Sequence, residues 1–172
     1  MADAIDGVSR AVGRAVAWVY PILVLVVIVN VVLRYGFSRG MIELEEIQWH
    51  LYSVGFLLAF AYAYQMDDHV RVDVLSSRVS ERTRAFIELL GCLFLLIPFV
   101  AIITWFSFDF FWRSWLIRET SDMPSGLPAR YVIKFVLFAG LGLLLLQAVA
   151  VAIRKFLFLL RYDVGDNFGD AS

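Results

Sequence analysis

The apolar positions of this chain fall into four long runs, and the polar ones are confined to short connections between them. The second run is framed most sharply. Arg34, Arg39, Glu43, Glu45 and Glu46 precede it, Asp67, Asp68, His69, Arg71 and Asp73 follow it, and no Asp, Glu, Lys or Arg lies between. A helix rising 1.5 Å per residue needs about 20 apolar residues to cross roughly 30 Å of hydrocarbon. The runs therefore predict membrane-spanning helices over about 12–33, 47–66, 85–105 and 131–153, in one four-helix membrane domain covering 1–172.

Local signals refine each run. Residues 1–10 read as a small, polar flank, with Arg10 and Arg14 just before the first span. Pro21 stands near the start of that span, where a missing N–H costs least. Asn30 is its polar interruption, which suits an interhelical hydrogen bond. Gly36, Ser38, Arg39 and Gly40 then break the helix. Glu43, Glu45 and Glu46 suit the positive end of the next helix dipole, yet three acids at one border exceed what a cap requires, so a functional role stands beside that reading. Trp49, Tyr52, Tyr62 and Tyr64 mark the ends of the second span as aromatic belts. Ser80 is placed to cap the third helix. That helix meets Pro98 and runs on through an aromatic-rich stretch, Phe106 to Trp115, too long for an upright span, so it tilts or emerges as an interfacial segment. Asp109 and Arg113 are spaced for a local ion pair. Arg118 to Arg130, with Pro124, Gly126 and Pro128, reads as a loop, and the tail from Asp163 reads as loose. Gly140 and Gly142 would let a neighbouring helix approach closely.

Composition turns this pattern into a class. The chain is 61% hydrophobic and 18% charged, with mean hydropathy +0.77, which marks an all-α integral membrane protein. The net charge of −1 offers no broad basic field to nucleic acid. The first run is longer than a secretory signal core and lacks a small-residue cleavage pattern. Both termini share a side with the second connection. That side carries more Lys and Arg, which places the termini in the cytoplasm.

Catalytic and cofactor chemistry is not legible. His50 and His69 stand at opposite ends of the second helix, roughly 28 Å apart, so one copy cannot hold a haem between them. Cys92 is the single cysteine and forms no internal disulfide. No phosphate loop or nucleophile elbow is present, and no cofactor or metal site is expected. No internal repeat or midplane charge marks a solitary carrier, which leaves a small membrane subunit that packs beside a larger one. A redox-enzyme membrane anchor, with haem or quinone held between copies or by a partner, is the alternative, and an exporter built by oligomerisation is a third reading.

Four features recur in a known order: Val32-Leu33-Arg34-Tyr35-Gly36-Phe37, then Glu45-Glu46, then His69-Val70-Arg71-Val72-Asp73, then Glu119, Ser121 and Gly126-Leu127-Pro128. Together they resemble the small membrane subunit, DctQ, of tripartite ATP-independent periplasmic (TRAP) transporters. Many members carry a tryptophan just before the acidic pair, where this chain has Ile42-Glu43-Leu44 and places Trp49 later. That variant resembles the subgroup associated with 2-oxo acids, lactate and other monocarboxylates or aromatic acids. The resemblance implies a bacterial inner membrane location and two partners besides the lipid bilayer. One is a large membrane subunit that imports an organic acid with sodium, and the other is a periplasmic solute-binding protein. It also implies roles. Arg34, Glu45, Glu46, Glu119 and Ser121 belong to the outer border, where the binding protein docks, and His69, Arg71 and Asp73 to the inner border, against the large subunit.

Overall fold

The computed structural model describes the backbone of residues 2–66 and 80–169, and the side chains of 4–66 and 80–161. Within these residues the chain is helical, without strands. Helix α1 spans Ala2–Ala17 and α2 spans Val19–Val31, followed by a π-helical turn, Val32–Gly36. Helix α3 covers Ile42–Gln65, α4 Glu81–Gly91, α5 Ile97–Leu116 and α6 Tyr131–Gly169. Among the described residues three stretches are long and apolar enough to cross a membrane: Ala4–Gly36, Glu81–Leu116 and Tyr131–Arg161. Helix α3 has 24 residues, which is long enough, but its polar first turn and scattered Tyr, His and Gln side chains make it the least apolar of the long helices.

The expected polar flank at residues 1–10 is instead the first half of an amphipathic helix. In α1 Val16 is buried, as are Asp6 and Ser9, and the helix packs against both α3 and α6. The tail also differs from expectation, because the backbone of α6 stays helical to Gly169. Past the border at Arg154 a helix still satisfies its own backbone hydrogen bonds, and no proline or early glycine stops it.

Ser80 caps α4 as its sequence position predicts, with Oγ accepting from the Thr83 N–H at 3.2 Å. The π-helical turn Cys92–Leu96 links α4 to α5 immediately before Pro98. A proline inside a helix lacks a donor and crowds the preceding turn, and a locally wider turn relieves both faults without ending the helix. One helical rod therefore runs from Glu81 to Leu116 and carries the aromatic stretch along its own axis.

The centre of the bundle is built from small side chains. Cys92, Ala148 and Ala152 form the buried core, with Tyr64, Leu89, Leu96 and Ile97 packed around it. Cys92 Sγ lies 3.3 Å from the Ala148 carbonyl, so the thiol acts as a compact packing group. Helix α6 is the hub, contacted along its length by α3 on one side and α5 on another. Gly140 makes the α3 contact possible, since a Cβ there would lie 2.7 Å from the backbone oxygen of Leu57. Gly142 has open space and carries no such constraint. Gly140→Ala should force the two backbones apart and destabilise the bundle by about 1–3 kcal/mol. Gly142→Ala should be neutral or stabilising. Thermal unfolding of both variants in detergent checks the pair.

Candidate functional site

Charged groups gather at the two ends of the bundle. Lys134 and Arg154 stand about 30 Å apart along α6, one hydrocarbon thickness, and Gln147 is the only polar side chain between them.

At the loop end, Glu46 is the organising residue. It sits in the first turns of α3, and its carboxylate reaches across to the 117–130 connection. Oε2 accepts from the Leu127 backbone N–H at 2.6 Å, and Oε1 accepts a short hydrogen bond from Ser121 Oγ. Ser121 N–H in turn donates to the Leu127 carbonyl at 3.2 Å, so both halves of the connection close on one carboxylate. Gly126 is obligatory there, because a Cβ would overlap the Ser121 side chain and sit 3.0 Å from Glu46 Oε1. The connection turns sharply, with Arg118, Ser125 and Ala129 all at positive φ.

A second clamp lies beside the first. Glu119 pairs with Lys134 of α6, and the Arg130 N–H donates to the Glu119 carbonyl at 3.0 Å. Arg130 also pairs with Asp122 at 2.9 Å. Arg34, at the end of the first helix, meets Glu45 at 3.1 Å, but both side chains are about half exposed and such a pair contributes little. His50 points Nδ1 at the Glu46 carbonyl, 2.6 Å away. Glu46, His50, Phe110, Arg130 and Lys134 line an open groove of about 760 Å³ between α3, α5 and α6.

These contacts set the protonation of the acids. Hydrogen bonds from Ser121 and then from the Leu127 N–H hold the Glu46 carboxyl below its ordinary value, against the opposing effect of burial. The Lys134 ammonium does the same for Glu119. A carboxyl depressed in the folded state contributes stability above its unfolded value and loses it as pH falls through the folded one. The unfolding temperature in detergent should therefore drop on acidification below about pH 4.5, the unshifted glutamate value, and Glu46→Gln should flatten that drop.

At the opposite end, α1 is tied to α6 by a buried polar chain. Ser9 Oγ donates to Gln147 Oε1 at 2.9 Å, Gln147 Nε2 donates to Asp6 Oδ1 at 2.8 Å, and Arg154 closes on Asp6 Oδ2. Gln147 is fully buried. Beside this chain, Glu88 of α4 bridges Lys155 of α6 at 2.5 Å and Arg84 at 3.2 Å.

Of the residues singled out in the sequence, Arg34, Glu45, Glu46, Glu119 and Ser121 thus converge on the loop end. His69, Arg71 and Asp73 lie outside the described residues. Asp109 and Arg113 form the expected local pair at 2.8 Å. Sequence reasoning missed Asp6, Ser9 and Gln147, although a lone Gln inside a long apolar run was a signal that some partner must meet it. It also missed Lys134, one helical turn past the start of α6. No group of three or more potential metal ligands occurs among the described residues.

One family model matches most of the chain. Residues 23–158 fit the DctQ component of tripartite ATP-independent periplasmic transporters. The chain belongs to this family. A protein of Haemophilus influenzae (strain ATCC 51907 / DSM 11121 / KW20 / Rd), described as a TRAP transporter small permease protein, is 30% identical over 105 residues. That match covers 60% of this chain and 64% of the relative. No solved structure matches. DctQ components belong to transporters, and with three helices among the described residues long and apolar enough to cross a membrane, the chain is a multi-pass membrane protein.

Proposed function

We propose that this DctQ chain is the fixed scaffold of a sodium-driven importer of organic acids in the bacterial inner membrane. In this reading α3 is a fourth span, 1–172 is a single membrane domain, and both termini are cytoplasmic. The loop end then faces the periplasm. The observation that carries the proposal is the Glu46 clamp, which fixes the 117–130 connection to α3 and makes the loop end one rigid surface. A soluble binding protein needs such a preformed surface to dock on, and ordering a loose loop at each encounter would weaken the complex. Arg34 and Glu45 extend the same surface. His69, Arg71 and Asp73 would sit at the cytoplasmic border against the large subunit.

The substrate reading is a 2-oxo acid, lactate or another monocarboxylate, and it rests on Trp49 following the acidic pair instead of preceding it. Tagged chain should be purified from its native membrane in mild detergent and the bound proteins identified by mass spectrometry. A large polytopic subunit in near-equal amount is the expected result. Recovery of the chain with a haem protein or a soluble dehydrogenase would replace the scaffold by the redox-anchor reading.

A further inference from the structure

A smaller cavity, adjoining the groove beside Glu46 and sharing Glu45 and Trp49 with it, opens between α2, its π-helical turn and α3, with a volume of about 370 Å³. Asn30 and Gln48 line it, and each holds a buried, unmatched polar atom that a turn of its side chain would bring to the cavity. Asn30 is 7% exposed, and its Oδ1 has no hydrogen-bond partner. Gln48 Nε2 is buried and equally without one. One is an acceptor and the other a donor, and leaving either unpaired in an apolar setting costs free energy. The sequence suggested an interhelical hydrogen bond for Asn30, yet its carbonyl oxygen finds none within the chain.

The surroundings narrow what could satisfy them. A water occupies about 30 Å³ in the liquid, so one bridging water would leave most of this space empty. Arg34 and Glu45 also line the cavity, placing a cation and an anion about one helical turn from the two amides. Tyr35 and Trp49 flank it and are largely exposed, at the level where aromatic side chains meet headgroups. Val27 and Val31 lead away from the cavity along an exposed apolar face of α2.

We infer that this cavity binds the headgroup of a phospholipid carrying a primary ammonium, phosphatidylethanolamine. The phosphate accepts from Gln48 Nε2 and the Arg34 guanidinium. The ammonium donates to Asn30 Oδ1 and Glu45, and the acyl chains lie along α2. Both orphaned atoms are then matched by one zwitterion, and Arg34 and Glu45 exchange their mutual contact at 3.1 Å for contacts with its two charges. Phosphatidylcholine cannot replace it, because its quaternary nitrogen has no N–H, and phosphatidylglycerol has no cation for Glu45. This site shares Arg34 and Glu45 with the proposed docking surface, but its test on the isolated chain needs no transport partner.

The test is native mass spectrometry of the full chain in detergent, with ethanolamine, choline and glycerol phospholipids of identical acyl composition added in equal amounts. Ethanolamine lipid should be retained about tenfold over the other two, the equilibrium ratio expected when a charge-assisted hydrogen bond is gained. Asn30→Leu and Gln48→Met, each close in shape to the native residue, should remove that preference, and their unfolding temperatures report whether the fold is kept. Equal retention of the three lipids by the unaltered chain would overturn the inference without any variant. So would a preference for the glycerol lipid, or an ethanolamine preference that survives in both variants.

Discussion

Uptake through the assembled transporter should fall more than about tenfold when Glu46 is replaced by alanine, with insertion and subunit assembly retained. The Leu127 N–H and Ser121 Oγ both lose their acceptor, and hydrogen bonds to a charged group are stronger than those between neutral ones. The Glu119–Lys134 pair and the Arg130 N–H to Glu119 bond still anchor the far side of the connection, so the loop stays attached but loses its register. Under the proposed scaffold reading, misplaced docking residues would act on the encounter with the binding protein rather than on the bundle. The acid pair should also behave unequally. Glu45→Ala removes only an exposed ion pair with Arg34 and should cost little, and Glu43→Ala is the control on the same helical turn. Substrate uptake into cells, normalised to membrane-inserted protein, reads all three; wild-type uptake in Glu46→Ala would sink the proposed role of the clamp.

The second large effect lies at the other end. Asp6→Ala should destabilise the bundle by about 3 kcal/mol, the lower part of the range for breaking a buried ion pair, because Arg154 is partly exposed. The loss has two components, an uncompensated guanidinium and a fully buried Gln147 amide left without an acceptor. Asp6→Asn retains an acceptor for Gln147 and should recover part of the loss. Unfolding temperature in detergent separates the two variants, and equal values for them would mean that only the charge matters.

The contrast between these two clusters shows what the sequence made legible. Glu46, Ser121 and Gly126-Leu127-Pro128 were each visible as polar or turn-forming residues at a border, where an apolar run ends and local rules apply. Ser80 and the Asp109–Arg113 pair were readable for the same reason, since capping and i,i+4 pairing involve neighbours in one helix. Which acid holds the connection was not readable, because Glu46 and Leu127 are brought together only by the packing of α3 against α6. Asp6 and Ser9 were hidden by composition. A short segment rich in Ala, Asp and Ser reads as a polar flank, and the face that buries its two polar residues exists only once Gln147 is opposite. The helix was expected to run on past Pro98, and the π-helical turn just before it explains how the rod continues.

The separation of Lys134 from Arg154 also makes the protein a gauge of bilayer thickness. Both ends of this stretch of α6 are pinned, Lys134 through Glu119 to a closed connection and Arg154 through Asp6 to α1, so neither charge can slide along the helix axis without breaking a clamp. A thinner or thicker lipid layer must then deform around the protein, or the whole bundle must lean. Acyl-chain length thereby becomes a setting that the surrounding membrane imposes on the subunit's tilt.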